Sequence, residues 1–183
     1  KDGIGNLPAL RFSDSDKNYV TAHTVADSIR SSEKLSAFVV ARNIGTTGTD
    51  ASNMIFAING SGSDNVIRFG ISPTSGKIAV CGTSGSNLST QTDFESKSTV
   101  YSFIDSTSSA SKLYANGKAM TVTSLNHPYD ESSLFSIGQE YDSTSPSDYF
   151  DGVIGEIIIY NRDLKTSERE DIEQYLMKKW NIK

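Results

Sequence analysis

The chain has 183 residues, a net charge of −5 and a pI near 5.0; 36% of its residues are hydrophobic and 21% charged. It is too apolar to be disordered, and it has no basic stripe for nucleic acid or an anionic membrane. No apolar run approaches the roughly 20 residues that cross a bilayer, and the lone Cys81 excludes an internal disulfide. Lys1 to Gly5 carry no signal-peptide pattern and no initiating Met, so the chain is expected to be a domain, 1–183, excised from a larger or processed protein.

Short runs of alternating residues separated by Ser, Thr, Gly, Asn and Asp fill most of the chain. The first distinctive segment is Asp14-Ser15-Asp16-Lys17-Asn18, which spaces three oxygen side chains as the start of a calcium loop does. Tyr19 then stands where such a loop needs glycine, and Val25 where it needs a bidentate Glu, so this is not an EF-hand; the alternative is an Asx-rich turn. A short helix is expected over 25–32. The segment 35–42 sets Leu35, Ala37, Val39 and Ala41 against Ser36, Phe38, Val40 and Arg42, and further strands are expected over 54–58, 66–71 and 77–81.

Strands over 100–105, 112–115, 119–123 and 134–138 follow. Tyr101 and Asp105 fall on one face of the first of these, with Phe103 between them. Asn116-Gly117 supplies the positive φ angles of a tight hairpin turn. The loop 139–151 gathers Gln139, Glu140, Tyr141, Asp142, Asp148, Tyr149 and Asp151. The run 153–160, Val-Ile-Gly-Glu-Ile-Ile-Ile-Tyr, is apolar on both faces, so cover on both sides is expected, with Gly155 marking a bulge or a close approach. A helix over 166–180 closes the chain. Thr166 or Ser167 is its expected cap, Ser167 with Glu170 has capping-box spacing, and Ile172, Tyr175, Leu176 and Trp180 form its buried stripe.

The residues Lys112-Leu113-Tyr114-Ala115-Asn116-Gly117-Lys118, Phe135-Ser136-Ile137-Gly138 and the stretch from Phe150 to Leu164 resemble the laminin-G-like members of the concanavalin A-like lectin/glucanase superfamily. Pro8-Ala9-Leu10-Arg11-Phe12 is similar to the first core strand of that family, and Glu168-Arg169 with Tyr175-Leu176 to its closing helix. Lys165 departs from the pattern, which has a small capping residue there; Thr166 is expected to take over. The resemblance implies an all-β jelly-roll sandwich of two antiparallel sheets, one concave, with a C-terminal helix. It does not imply one activity: members bind glycans, proteins or calcium, and some relatives hydrolyse polysaccharides.

The chemistry of hydrolysis is thinly represented. Retaining glycosidases need two carboxylates roughly 5 Å apart, which alternating acids on one strand would supply. The nearest approach is Asp93-Phe94-Glu95, and Glu156 has no acid two positions away. His23 and His127 are the only histidines, and no nucleophile elbow or phosphate-binding glycine loop occurs. The expected function is therefore a noncatalytic recognition or adhesion module, at a cell surface, outside the cell or on a virion, whose partner is a glycan or a surface protein. Tyr101, Asp105, Gln139, Tyr141, Asp142 and Tyr149 are the candidate ligand-binding residues. Calcium is the one candidate cofactor, with Asp14, Asp16, Asp148 and Asp151 as its candidate ligands. A structural or protein-binding virion or adhesin module and a polysaccharide-degrading enzyme are the alternatives.

Overall fold

The structure, a computed structural model, describes residues 3–45, 53–60, 65–73, 75–82, 86–88, 96–106, 109–122, 129, 132–142 and 145–183. In chain order the elements are β1 (Gly3–Ile4), β2 (Leu7–Pro8), β3 (Leu10–Phe12), β4 (Val20–Ala22), α1 (His23–Ser32), β5 (Lys34–Asn43), β6 (Met54–Gly60), β7 (Asn65–Ile71), β8 (Ile78–Cys81), β9 (Ser86–Leu88), β10 (Thr99–Ser106), β11 (Ser109–Ala115), β12 (Lys118–Met120), β13 (Ser132–Ile137), β14 (Glu140–Asp142), β15 (Ser145–Ser147), β16 (Gly152–Tyr160) and α2 (Thr166–Lys179). Among the described residues, two six-stranded antiparallel sheets form the sandwich: sheet I in the order β12-β11-β10-β5-β16-β3, and sheet II in the order β4-β13-β6-β7-β8-β9. The hairpins β1-β2 and β14-β15 stand apart. No helix among the described residues is long and apolar enough to cross a membrane.

The alternation read from 35–42 sorts β5 between two cores. Leu35, Ala37, Val39 and Ala41 face the main core between the sheets, while Phe38 and Val40 face a second core on the outer side of sheet I. Leu176 and Trp180 of the C-terminal helix and Ile4 cover that outer side. In the main core Phe56 stacks on Phe69 at 5.2 Å, and Phe69 meets Tyr101 of sheet I edge-on at 5.9 Å, so aromatic contacts join the two sheets. The Asn116-Gly117 turn joins β11 to β12 with φ angles of 48° and 75°.

Several expectations need correction. The stripe of α2 holds Leu176 and Trp180 but not Tyr175, which is 52% exposed; Arg169 and Glu173 are buried instead, as an ion pair. The N-cap is Lys165, not Thr166 or Ser167, and the reciprocal group is Glu168, whose carboxylate accepts from the Lys165 N–H at 2.9 Å. Lysine has no acceptor, so only that half of a capping box is made. The loop 139–151 contains a hairpin, β14-β15, that its polar residues and Pro146 do not announce. Finally, β16 is buried on both faces only at residues 152–154; residues 155–160 are half-buried, because the edge strand β3 pairs with Gly152, Val153 and Ile154 alone. The register does shift at Gly155, as expected of a bulge.

Candidate functional site

The turn between β3 and β4 is held by its own side chains. Asn18 Oδ1 accepts from the Ser13 N–H at 2.8 Å, the Lys17 N–H donates to the Ser13 carbonyl at 3.0 Å, and Lys17 sits at a φ of 54°. This closed Asx-type turn delivers Lys17 and Tyr19 to the surface, with Tyr19 41% exposed.

A second segment meets it. The Asp148 carbonyl accepts from the Met54 N–H at 3.0 Å, Tyr149 bridges Met54, and the Phe150 N–H donates to the Gly138 carbonyl at 2.9 Å. Residues 148–150 are thus stitched to the end of sheet II. Tyr149 lies 6.3 Å from Tyr19, ring centre to ring centre, and the Lys17 ammonium lies 5.8 Å from the centre of the Tyr149 ring. Tyr141, from β14, hydrogen-bonds to Tyr19 through its side chain; partial burial and this contact raise its phenol above the ordinary value. Asp142, Asp14 and Asp16 are exposed.

The segment that carries Tyr141 and Tyr149 also carries an acid pair, with Glu140 buried and Asp148 half-buried. Glu140 is wholly buried, 3.2 Å from the Arg68 guanidinium, and hydrogen-bonds to Asp148. Burial pushes the Glu140 carboxyl up to about 8; the Arg68 charge opposes this, and Asp148 and Asp142 reinforce it. Burial raises Asp148 as well, while the hydrogen bond from Glu140 lowers it, so the proton of the pair resides on Glu140. Arg68 stands in a cross-strand row with Thr21, Ser136 and Ala57. The small residues of that row leave space over sheet II for the long Arg68 side chain and for the hairpin that covers it.

The candidate residues therefore divide. Tyr141 and Tyr149 are brought together, with Asp142 on the same hairpin as Tyr141. Tyr101 and Asp105 share one face, but it is the inner one: Tyr101 is 0% and Asp105 1% exposed, and Asp105 accepts from Tyr129 at 2.7 Å and from Ser111 at 2.5 Å. The alternation of the strand does set Tyr101 and Asp105 on one face, and the core aromatics Phe69 and Phe103 mark that face as the inside of the sandwich. Gln139 is also wholly buried, and among the described residues neither of its side-chain amide atoms has a hydrogen-bond partner. Tyr19 is the residue the sequence reading missed. Its signal was its place at the end of an Asx-rich turn, where an exposed aromatic has no core to fill.

Of the four aspartates expected to hold calcium, Asp14 lies near enough to Asp148 to raise its carboxyl, whereas Asp151 is engaged by Arg11. Asp14 and Asp16 ride on the β3–β4 turn, Asp148 contacts Glu140, and Asp151 pairs with Arg11 at 2.5 Å. Among the described residues no group of three or more His, Cys, Asp or Glu side chains is arranged to hold a metal ion. Asp93, Phe94, Glu95 and His127 lie outside the described residues.

Comparison with known proteins agrees with the architecture. No curated protein sequence matches the chain. Among solved structures, the NanB sialidase of Streptococcus pneumoniae superposes with a TM-score of 0.68 at 12% identity, over 88% of this chain and 26% of that one. The Trypanosoma rangeli sialidase in complex with sialic acid gives 0.58 at 12% identity, over 79% and 23%. The heptameric SAP-like pentraxin of Limulus polyphemus gives 0.58 at 13% identity, over 94% and 79%. The chain thus spans about a quarter of each sialidase, and at these identities the likeness is one of fold. A family profile matches residues 14–168, and the chain belongs to the concanavalin A-like lectin/glucanases superfamily.

Proposed function

We propose that the chain is a noncatalytic carbohydrate-recognition module acting outside the cell, on a cell or virion surface, and that it holds sugar at Tyr19, Tyr141 and Tyr149. The observation that carries this reading is the convergence of these three tyrosines from two separate segments onto one polar end of the sandwich. Sugar rings offer apolar C–H faces to aromatic rings and hydroxyls to polar groups at the rim, and Lys17 and Asp142 provide such groups. Asp14, Asp16 and Asp142 near the tyrosines favour a neutral sugar over the sialic acid bound by the Trypanosoma rangeli protein.

The acid pair supports a noncatalytic reading. Hydrolysis places a sugar between two carboxylates, whereas Glu140 and Asp148 contact each other and Glu140 is sealed from solvent. The test is a glycan array probed with the labelled chain, once in calcium and once in chelator. Neutral glycans should bind, and Tyr149→Ala and Tyr19→Ala should each weaken binding about tenfold or more with the melting temperature preserved. An array without hits under either condition refutes the reading. Binding in calcium alone would assign the ion a part in recognition.

A further inference from the structure

The three tyrosines reach one place on two separate bodies, each held by its own bonds. The first is the β3–β4 turn, which carries Lys17 and Tyr19 and is closed by the contacts of Ser13 with Lys17 and Asn18. The second is the segment that begins at Gly138 and carries Tyr141 and Tyr149. It is tied to β6 at both ends: the Gly138 N–H donates to the Ile55 carbonyl at 2.8 Å, and the Asp148 carbonyl accepts from the Met54 N–H at 3.0 Å. These bonds fix each body internally. The distance between the bodies is set where they touch.

They touch at Gly138. The last rung of the β4–β13 ladder pairs Val20 with Ile137, so Tyr19 and Gly138 stand next in line where the ladder ends. Gly138 has a φ of 85°, in the left-handed region that suits glycine. A Cβ on it would lie 2.5 Å from Phe12 Cε1, closer still to Phe12 Cδ1, and 3.1 Å from the Asn18 carbonyl oxygen. Carbon atoms pack at about 3.5–4.0 Å, so the ring occupies space that any side chain at 138 would need. The ring has little room to retreat: it is 3% exposed in the main core, 6.4 Å from the ring of Phe150. The Phe150 N–H in turn donates to the Gly138 carbonyl at 2.9 Å. Gly138 therefore contacts the residue before Tyr19 and the residue after Tyr149, and it stands three positions before Tyr141.

We propose that Gly138 is the positioning residue of the tyrosine site: its bare Cα lets the Phe12 ring and the Asn18 carbonyl close onto it, and this seat sets Tyr19 at its distance from Tyr141 and Tyr149. A side chain at 138 presses Phe12 and Asn18 away, and Tyr19, the next residue, moves with Asn18. Tyr19 lies 6.3 Å from Tyr149 and is hydrogen-bonded to Tyr141. A hydrogen bond weakens steeply once its partners are misaligned, so the Tyr19–Tyr141 contact registers a small displacement of the turn. The effect on sugar binding rests on the reading of these tyrosines as the sugar site; the effect on the rings does not.

The experiment uses the whole chain, first without ligand. Tyrosine labelled with ¹³C at Cζ follows each phenol, and nuclear Overhauser contacts between rings follow the spacing of Tyr19 and Tyr149. Burial raises the Tyr141 phenol most and the Tyr19 bond adds to it, so in Gly138→Ala its titration should shift down toward the ordinary value, with loss of the Tyr19–Tyr149 ring contact. Phe12→Leu removes the flat ring from the seat without a new side chain at 138; it should give the same two changes and serves if Gly138→Ala does not fold. Gly155→Ala, which crowds Trp180 in the second core, is the control for destabilisation alone and should leave both signals as in wild type. The proposal falls if Gly138→Ala and Phe12→Leu keep the wild-type titration and ring contact, or if Gly155→Ala alters them equally. Glycan binding is then measured on the same variants and should weaken about tenfold or more where the rings have moved. Unchanged glycan binding by chains whose rings have moved upholds the role of Gly138 and overturns the sugar reading of the tyrosines.

Discussion

Gly155 has no side chain because Trp180 occupies the space one would need. A Cβ there would lie 2.8 Å from two carbons of the indole ring, closer than real Cβ contacts. The ring cannot easily retreat, since its Nε1 donates to Glu156 Oε2 at 2.8 Å and its body is 4% exposed in the second core. The glycine thus does two things at once: it admits the extra residue of the bulge and lets the helix end lie flat on β16. Gly155→Ala should destabilise the chain by about 1–3 kcal/mol, the usual cost of forcing atoms into a packed core, read as a lower urea midpoint. An unchanged midpoint would mean that Trp180 is free to move. The sequence hinted at this residue through its isolation in an apolar run, but nothing in the run named Trp180 as the neighbour.

At the scale of elements, legibility followed the balance between local and distant forces. The strands at 35–42 and 100–105 and the Asn116-Gly117 turn were readable because their alternation and turn chemistry are local. The hairpin β14-β15 was not, since its residues are polar and its pairing is fixed by Glu140 reaching Arg68, 72 positions away. The candidate site was legible to the same degree: Tyr141 and Tyr149 stand out as aromatics in a polar loop, whereas Tyr19 joins them only through the fold. The helix α2 shows a different failure. Its apolar pattern pointed to Tyr175, but the face it buries is filled by Arg169 and Glu173, with the Arg169 guanidinium 3.8 Å over the centre of the Tyr114 ring. Stacking and pairing together replace the water lost by these charges. Glu173→Gln, which leaves the buried Arg169 paired with the half-exposed Glu170 at 2.9 Å, should cost about 1–3 kcal/mol in chemical denaturation. The double replacement Arg169→Met with Glu173→Leu should recover most of that loss. If the single variant melts like wild type, the pair contributes no net stability.

For the whole molecule, the acid pair couples the tyrosine-bearing hairpin to the sheet in a way that pH can read. The Glu140 carboxyl titrates near 4.5 in an unfolded chain and is pushed up to about 8 by burial in the folded one. Across that window the folded chain keeps a proton that the unfolded chain has lost. The stabilisation is therefore fully present below about 4.5 and is lost as pH rises through about 8. The slope is at most about 1.4 kcal/mol per pH unit for one proton, and the raised Asp148 acts in the same direction. Urea midpoints should fall between about pH 5 and pH 8. The net charge of −5 also disfavours the compact state as carboxylates ionise, so the decisive comparison is Glu140→Gln. This variant keeps a donor toward Asp148 and cannot ionise; its profile should be flatter than wild type, with the two curves converging toward acid and the variant the more stable at the alkaline end. Parallel profiles would mean that Glu140 is already charged in the folded chain. Glu140 lies next to Tyr141 in β14, so loss of its proton is expected to loosen the strand that presents this tyrosine, and the proposed sugar affinity should decline over the same range in wild type and hold steady in Glu140→Gln.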